Sequence, residues 1–323
     1  MKNVLYRDAV KEAIQEEMER DDKVFIMGED VAIIGGVYKA TRGLLEQFGK
    51  ERVRNTPISE AAIVSTGVGA AMAGARPIVE IMYVDFTACC MDSIANQMAK
   101  IHYHTGGSLS VPMVLRSQGG LGKSNGSQQS QSLESWFTHI PGLKVVMPST
   151  PYDAKGLLKA SIRDDNPVVF IENKGLYQTK GDIPEEEYII PLGKADIKKE
   201  GKDVSIIAYS KAVITALEAA AKLEEEGISA EVVDLRTLVP LDFETISESV
   251  KKTGRVIVMH DSCERGGYGA EVTAQIMQKL FDYLDAPVIR LAGKNVPPPF
   301  APYVEKASVP VVADVVAAAK SIM

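Results

Sequence analysis

The sequence predicts an α/β protein of two domains, each a mostly parallel sheet flanked by helices. Short β-branched runs alternate with helical periodicity from one end to the other, the pattern of strands buried between two helical layers. The alternation breaks once, in "NKGLYQTKGDIPEEEYIIPLGKADIKKEGK", where Lys, Glu, Gly and Pro dominate; this places a boundary near residue 190 and gives domains 1–190 and 191–323. A chain of 323 residues, 46% hydrophobic and 24% charged, is long and apolar enough for two ordinary cores.

The elements follow in order. "MKNVLYRDAVKEAIQEEMERDD" is an amphipathic helix pattern, and "KVFIMGED" a buried strand closing on a turn. "GVGAAMAG" sits inside a helix that starts near Glu60, so its glycines indicate close helix packing, with Gly74 as the stop, rather than a dinucleotide fingerprint. "PIVEIMY" (Pro77 to Tyr83) is a strand. From Phe86 to His104, Phe86, Cys90, Ile94, Met98 and Ile101 make one helical face. "VPMVLR" (Val111 to Arg116), "LKVVMP" (Leu143 to Pro148) and "PVVFIE" (Pro167 to Glu172) are further strands, and Thr150, Pro151 and Asp153 start a helix. Beyond the boundary come strand "DVSIIAYS", helix "AVITALEAAAKLEEEG", strand "SAEVVDL", helix "DFETISESVKKTG", strand "RVIVMH", helix "AEVTAQIMQKLFDYL", strand "APVIRLA" and a helix near "VADVVAAAKSIM".

Composition excludes several classes. The net charge is -7 and the Lys and Arg residues are scattered, which argues against nucleic acid as a partner. Three cysteines, Cys89, Cys90 and Cys263, do not make a disulfide framework, and no Cys/His spacing matches a zinc site. The start lacks the apolar core of a signal peptide and no apolar run has membrane-spanning length, so a cytoplasmic protein with no membrane association is expected. "GGLGKS" (Gly119 to Ser124) suggests a P-loop, but Ser117 stands where that motif needs a glycine. His102 and His104, two apart at a helix end, point to different sides, which disfavours a metal. His139 and His260 are ambiguous, a satisfied core histidine being the favoured reading.

"NTPISEAA" (Asn55 to Ala62) is the most informative short segment. Pro57 fixes an extended approach, Ser59 is placed to cap a helix, and Glu60 falls in its first turn. Favourable dipole placement explains Glu60 as well as chemistry does when the segment is taken alone.

Four segments in one order change that balance: "FIMGEDV", "RNTPISEAAIVSTGVGAAMAGARPIVEIMYVDF", "SQSLESWFTHIPGLKVVMPSTPYDAKGLLKASIRDDNPVVFIENK" and "VVDLRTLVPLD". Together they resemble the β subunit of the thiamine-diphosphate-dependent dehydrogenase component of 2-oxo acid and acetoin dehydrogenase complexes, across essentially the whole chain. The resemblance implies a transketolase-like pyrimidine-binding domain followed by a transketolase C-terminal-like domain. It implies that Glu60 hydrogen-bonds the aminopyrimidine ring of the cofactor and so helps activate its thiazolium carbon. It brings Phe86 near the pyrimidine, with Ile58 and Met82 as apolar neighbours and Glu29 in the same cofactor-binding set. It also implies a structural potassium ion at Met113, Ser161, Ile162, Asp164 and Asn166, where helix-end carbonyls are good hard-cation ligands. The "GDG" segment that usually holds the diphosphate and Mg2+ is absent, and in such proteins a separate α subunit supplies it, in an α2β2 heterotetramer that passes an acyl group to a lipoyl acyltransferase. "CMDSIANQMAKIHYHTGG" and "FTHIPGLKVVMPSTPYDAKGLL" favour acetoin as the small-molecule substrate, with pyruvate or branched-chain 2-oxo acids next.

One position departs from the pattern. "QHSQ" is expected at Gln128 to Gln131, and here Gln129 replaces the histidine that orients or protonates the bound intermediate. Glutamine donates and accepts hydrogen bonds but does not titrate near neutral pH. Three readings follow: a substrate that needs only a hydrogen bond, compensation by His139 or another histidine, or an impaired variant. A non-catalytic assembly or regulatory subunit is the alternative from a different class.

Overall fold

The computed structural model describes residues 1–323. It separates into two compact units, one of residues 1–119 and 136–192, the other of residues 120–135 and 193–323.

The first unit contains β1 (Lys2–Leu5), α1 (Tyr6–Arg20), β2 (Val24–Gly28), α2 (Leu44–Phe48), β3 (Val53–Asn55), α3 (Glu60–Met72), β4 (Arg76–Ile81), α4 (Ile101–His104) and β5 (Val114–Gly119). After α5 (Glu134–Thr138) come β6 (Lys144–Val146), α6 (Pro151–Arg163), β7 (Val168–Asn173) and β8 (Lys180–Ile183). Its strands run parallel in the order β6-β7-β5-β4-β2-β3. The central β4, β5 and β7 are wholly or almost wholly buried along their length, as strands covered on both faces must be. Helix α3 lies close on this sheet because Gly67 has no side chain: a Cβ there would stand 2.5 Å from the Val79 side chain and 3.2 Å from the Met113 sulfur.

Four expectations change here. Residues 2–5 are a strand paired antiparallel with β8, not the start of the helix. The third predicted strand, Val111 to Arg116, shifts to Val114–Gly119, since Pro112 has no N–H to donate to a ladder. Phe86 to His104 is not one α-helix but a 3₁₀ segment (Val84–Cys90), a π segment (Ser93–Met98) and α4; Cys90, Ile94 and Met98 are still buried together. Ser59 occupies the cap of α3 but its side chain makes no capping bond, whereas the Thr150 hydroxyl accepts from the Asp153 amide at 3.1 Å as expected.

The second unit contains β9 (Asp196–Lys199), β10 (Val204–Ala208), α7 (Ala212–Glu225), β11 (Ala230–Asp234), β12 (Thr237–Val239), α8 (Phe243–Thr253), β13 (Val256–Cys263), α9 (Tyr268–Leu280), β14 (Ile289–Gly293), α10 (Pro302–Lys306) and α11 (Val312–Ser321). Its sheet order is β14-β13-β10-β11-β9, parallel except for the β9 edge. The apolar faces of α7 and α11, with Ala216, Leu223, Val315 and Ala319, close over Val204, Ile206 and Val232. No helix is long and apolar enough to cross a membrane.

Candidate functional site

In the first unit the chain leaves β2 toward β3 on one side and leaves β4 toward β5 on the other. Loops departing in opposite directions open a crevice beyond the carboxyl ends of these neighbouring strands, the usual ligand position in open α/β sheets. Glu29 follows β2 directly, Ile58 and Glu60 lie between β3 and the first turn of α3, and Met82 and Phe86 follow β4. The fold thus delivers all five expected cofactor-binding residues to the same end of adjacent strands.

Their environments differ. Glu60, Met82 and Phe86 are half-buried, Ile58 is 80% exposed, and Glu29 is 9% exposed. The Glu29 Oε1 atom is buried without a hydrogen-bond partner. Burial, reinforced by the charges of Glu60, Asp30 and Glu80, holds the Glu29 carboxyl above its ordinary pKa. Burial and the Glu60 charge likewise push the Cys90 thiol up to about 12. Glu60 is therefore electrically close to both, and the crevice gathers several carboxyl groups.

This raised value has a consequence for stability. A carboxyl whose folded pKa exceeds its unfolded value penalises the folded state once it ionises, and the penalty vanishes at a pH below the unfolded value of about 4.3. Glu29→Gln is expected to melt at a higher temperature than the wild type at pH 8, with the gap closing toward pH 4. Equal melting temperatures at pH 8 would contradict the environment described for Glu29.

Beneath the crevice lies a buried ionic cluster that sequence reasoning missed. Arg116, fully buried on β5, donates to both Glu172 oxygens at 2.6 and 2.7 Å and to Glu80 at 2.5 Å. The Tyr177 hydroxyl also donates to Glu172. Burial pushes the Glu80 carboxyl up against the opposing pull of Arg116, while the two glutamates hold the guanidinium well above its ordinary value despite burial. Gln118, two residues along β5, accepts from the Tyr83 amide at 3.3 Å and ties this layer to the backbone between Met82 and Phe86. The only sequence signal was charge inside apolar runs: Glu80 in "PIVEIMY", Arg116 ending "VPMVLR" and Glu172 ending "PVVFIE".

The other candidates are placed as follows. Gln129 is half-buried in the 120–135 segment of the second unit, and His139 is exposed just beyond α5. His102 and His104 are exposed, with His102 Nδ1 at 2.9 Å from the Leu109 carbonyl. His260 is not fully satisfied: it is buried, its Nδ1 meets Ser262, its Nε2 has no partner, and burial lowers its pKa to about 4. Around α6, the Ile162 and Asp164 carbonyls accept from Arg76 at 2.9 and 2.7 Å, the Met113 carbonyl from Val168 at 3.0 Å and the Ser161 carbonyl from Asp164 at 3.3 Å. The Asn166 amide donates to the Asp164 carboxylate at 2.8 Å, and Lys144 pairs with it; against the effect of burial these partners hold Asp164 below its ordinary pKa. Positive charge at this helix end thus comes from within the chain. No group of three or more His, Cys, Asp or Glu side chains is arranged to hold a metal.

Comparison with known proteins covers both units. Residues 2–180 match the transketolase pyrimidine binding domain and residues 193–315 the transketolase C-terminal domain. The chain is 50% identical over 303 residues to a 2-oxoisovalerate dehydrogenase subunit beta of Bacillus subtilis (strain 168), with 93% of each chain covered. It is 46% identical over 323 residues to a pyruvate dehydrogenase E1 component subunit beta of Rhizobium meliloti (strain 1021), covering 100% of this chain and 70% of that one. Among solved structures, a split gene transketolase described as an inactive beta4 tetramer superposes with a TM-score of 0.83 at 22% identity, over 99% of this chain and 98% of the other, a likeness of fold alone.

Proposed function

The chain belongs to the β subunits of 2-oxo acid dehydrogenases, built from transketolase pyrimidine-binding and C-terminal domains, and from that premise we propose a thiamine-diphosphate-dependent, acyl-transferring oxidoreductase completed by an α subunit. The observation that carries the proposal is the crevice itself: Glu60 on the first turn of α3, beside a buried Glu29 with an unpartnered oxygen, flanked by Met82 and Phe86. A pyrimidine ring bearing an amino group fits such a place, since it offers N–H donors to carboxyl oxygens and an apolar face to a thioether and an aromatic ring.

When bound, thiamine diphosphate supplies a carbon nucleophile that attacks the substrate carbonyl and stores the electrons released on carbon–carbon cleavage. The protein groups then have separate tasks. Glu60 holds a proton at the pyrimidine nitrogen. Glu29, whose charged form is disfavoured by burial and by the neighbouring carboxyls, offers its unpartnered oxygen to the amino group of the ring. Phe86, Met82 and Ile58 cover the ring and keep water from it. Gln129, from its own loop, contributes a neutral hydrogen bond to the substrate oxygen. His139 is the candidate for a titratable group in Gln129's stead.

The missing "GDG" leaves the diphosphate and Mg2+ to the α subunit, in an α2β2 assembly serving a lipoyl acyltransferase. A potassium ion would be held by the carbonyls of Met113, Ser161, Ile162 and Asp164 together with Asn166, each of those carbonyls keeping a second lone pair beside the hydrogen bond it already accepts; no catalytic step passes through it. Along the chain the pyrimidine half is assigned to residues 1–190 and the C-terminal half to 191–323, with residues 120–135 in the compact unit of the latter, and a cytoplasmic assembly is the reading adopted. Acetoin is the first substrate candidate on the segments named above, while relatives named for pyruvate and 2-oxoisovalerate dehydrogenase make those 2-oxo acids the comparison.

Co-expression with a candidate α subunit, followed by thiamine-diphosphate-dependent dye reduction with acetoin, pyruvate and a branched-chain 2-oxo acid, tests the reading. The wild type is expected to turn over one of them. Gln129→His is expected to change that rate by less than about ten-fold and to add a titration near pH 6.5. Silence of the wild type on all three, with turnover appearing in Gln129→His, would make the chain an impaired or repurposed subunit.

A further inference from the structure

"GGLGKS", set aside in the sequence as a failed P-loop, nevertheless folds as an anion cradle. The amides of Gly122 and Ser124 both point at the Glu305 carboxylate, at 3.0 Å each, and the Ser124 hydroxyl donates to it at 3.1 Å. Ser124 adopts φ 51°, a left-handed conformation that a residue other than glycine holds only when its surroundings repay the strain. Glu305, on α10, is 5% exposed, so its charge is removed from water and those three donors replace its hydration.

The same platform grips the loop again. Gly126, at φ +81°, packs on Phe300 so closely that a Cβ would lie 3.2 Å from the ring. The neck is closed where the Gly120 amide donates to the Gln131 carbonyl at 2.9 Å, and the Gln129 amide turns back on the Gly126 carbonyl at 3.4 Å. Gln129 therefore sits on a compact loop fixed at its neck, at Gly126 and at the Glu305 cradle.

We propose that Glu305 is a positioning residue: its carboxylate, filling the cradle where a P-loop would hold phosphate, fixes the loop that presents Gln129 to the substrate. It touches neither cofactor nor substrate and acts through the backbone of Gly122 and Ser124. This rests on the function proposed above for Gln129, whereas the anchoring itself does not.

The test uses the full chain in complex with its α subunit and compares wild type, Glu305→Gln, Glu305→Asp and Ser124→Ala. Hydrogen exchange over residues 120–133 reads the anchor, and dye reduction reads its effect. In Glu305→Gln, exchange at Gly122 and Ser124 is expected to accelerate at least about ten-fold. The turnover number should fall by a similar factor, with KM within about three-fold, because orientation is lost and binding is kept. Glu305→Asp, which keeps the charge, should recover part of both, and Ser124→Ala, which deletes one donor, should give a smaller change in each. Unchanged exchange in Glu305→Gln overturns the anchor. Faster exchange with an unaltered turnover number overturns the positioning role. If Glu305→Gln unfolds, Ser124→Ala decides alone, and parity with wild type in exchange refutes the cradle. A wild type without turnover refutes the proposed function while the exchange result still judges the anchor.

Discussion

Glu60→Gln is expected to lower dye reduction by the assembled enzyme about 10²–10⁴-fold, the usual contribution of one acid–base group. The amide keeps the size of the carboxyl and its position on the first turn of α3 but cannot hold a proton at the cofactor ring. Fold stability should change little, because Glu60 is half-buried and the Ser59 cap beside it makes no side-chain bond that the substitution could break. Two further readouts separate chemistry from collapse. The melting temperature should stay within a few degrees of wild type, since surface-type substitutions stay near ±0.5 kcal/mol. Removing the Glu60 charge should also relax Glu29 toward its ordinary pKa, because that charge is the largest electrostatic contributor to its shift after burial. Retention of near wild-type turnover would remove Glu60 from the chemistry and leave it as a helix-start residue.

Arg116→Met is the substitution expected to damage the fold most. It removes the only positive partner of Glu80 and one side of the Glu172 pairing, leaving two carboxyls buried in the middle of the first sheet. Breaking a buried pair from one side costs about 3–5 kcal/mol, which for a unit of this size lowers the melting temperature by roughly 6–20 °C. The sign of the pH dependence follows from the same geometry. Without Arg116 both glutamates are easier to bury protonated, so the deficit should be greatest at pH 8 and shrink toward pH 5. A triple variant with Glu80→Gln and Glu172→Gln should recover much of the loss, because the isolated charges are then gone. A single-variant loss below about 1 kcal/mol would mean that the cluster is better hydrated than its burial implies.

The cluster also illustrates where sequence reasoning stopped. Alternating apolar runs and helix periodicity marked β2, β4, β7, β10, β11 and β13 and the long helices between them, because burial of a parallel strand on both faces leaves an unmistakable apolar run. Thr150 was legible as a helix start and its hydroxyl accepts the capping amide, as the Asp242 carboxylate does at the start of α8. Edge pieces were not: β1, β8 and β9 carry Lys, Asn and Asp, and their pairing is decided by distant partners such as Lys2 with Ile183. The stretch from Phe86 to His104 has the spacing of an α-helix, yet the Ala99 amide reaches back five residues to Ile94, a choice made by packing rather than by local preference.

The site divides along the same line. Glu60, Phe86, Met82, Ile58 and Glu29 could be named from the sequence because four segments in one order carry a family resemblance that implies them; taken alone, the segment around Glu60 is explained equally well as a helix start. That Glu29 holds an unpartnered buried oxygen, that Arg116 balances two glutamates from separate strands, and that Glu305 fills a cradle more than 180 residues before it were decided only in three dimensions. The reason is physical. Periodicity and capping are local properties, written within a few residues, whereas the worth of a charge depends on how much water is taken from it and on what replaces that water, and residues far apart in the chain settle both.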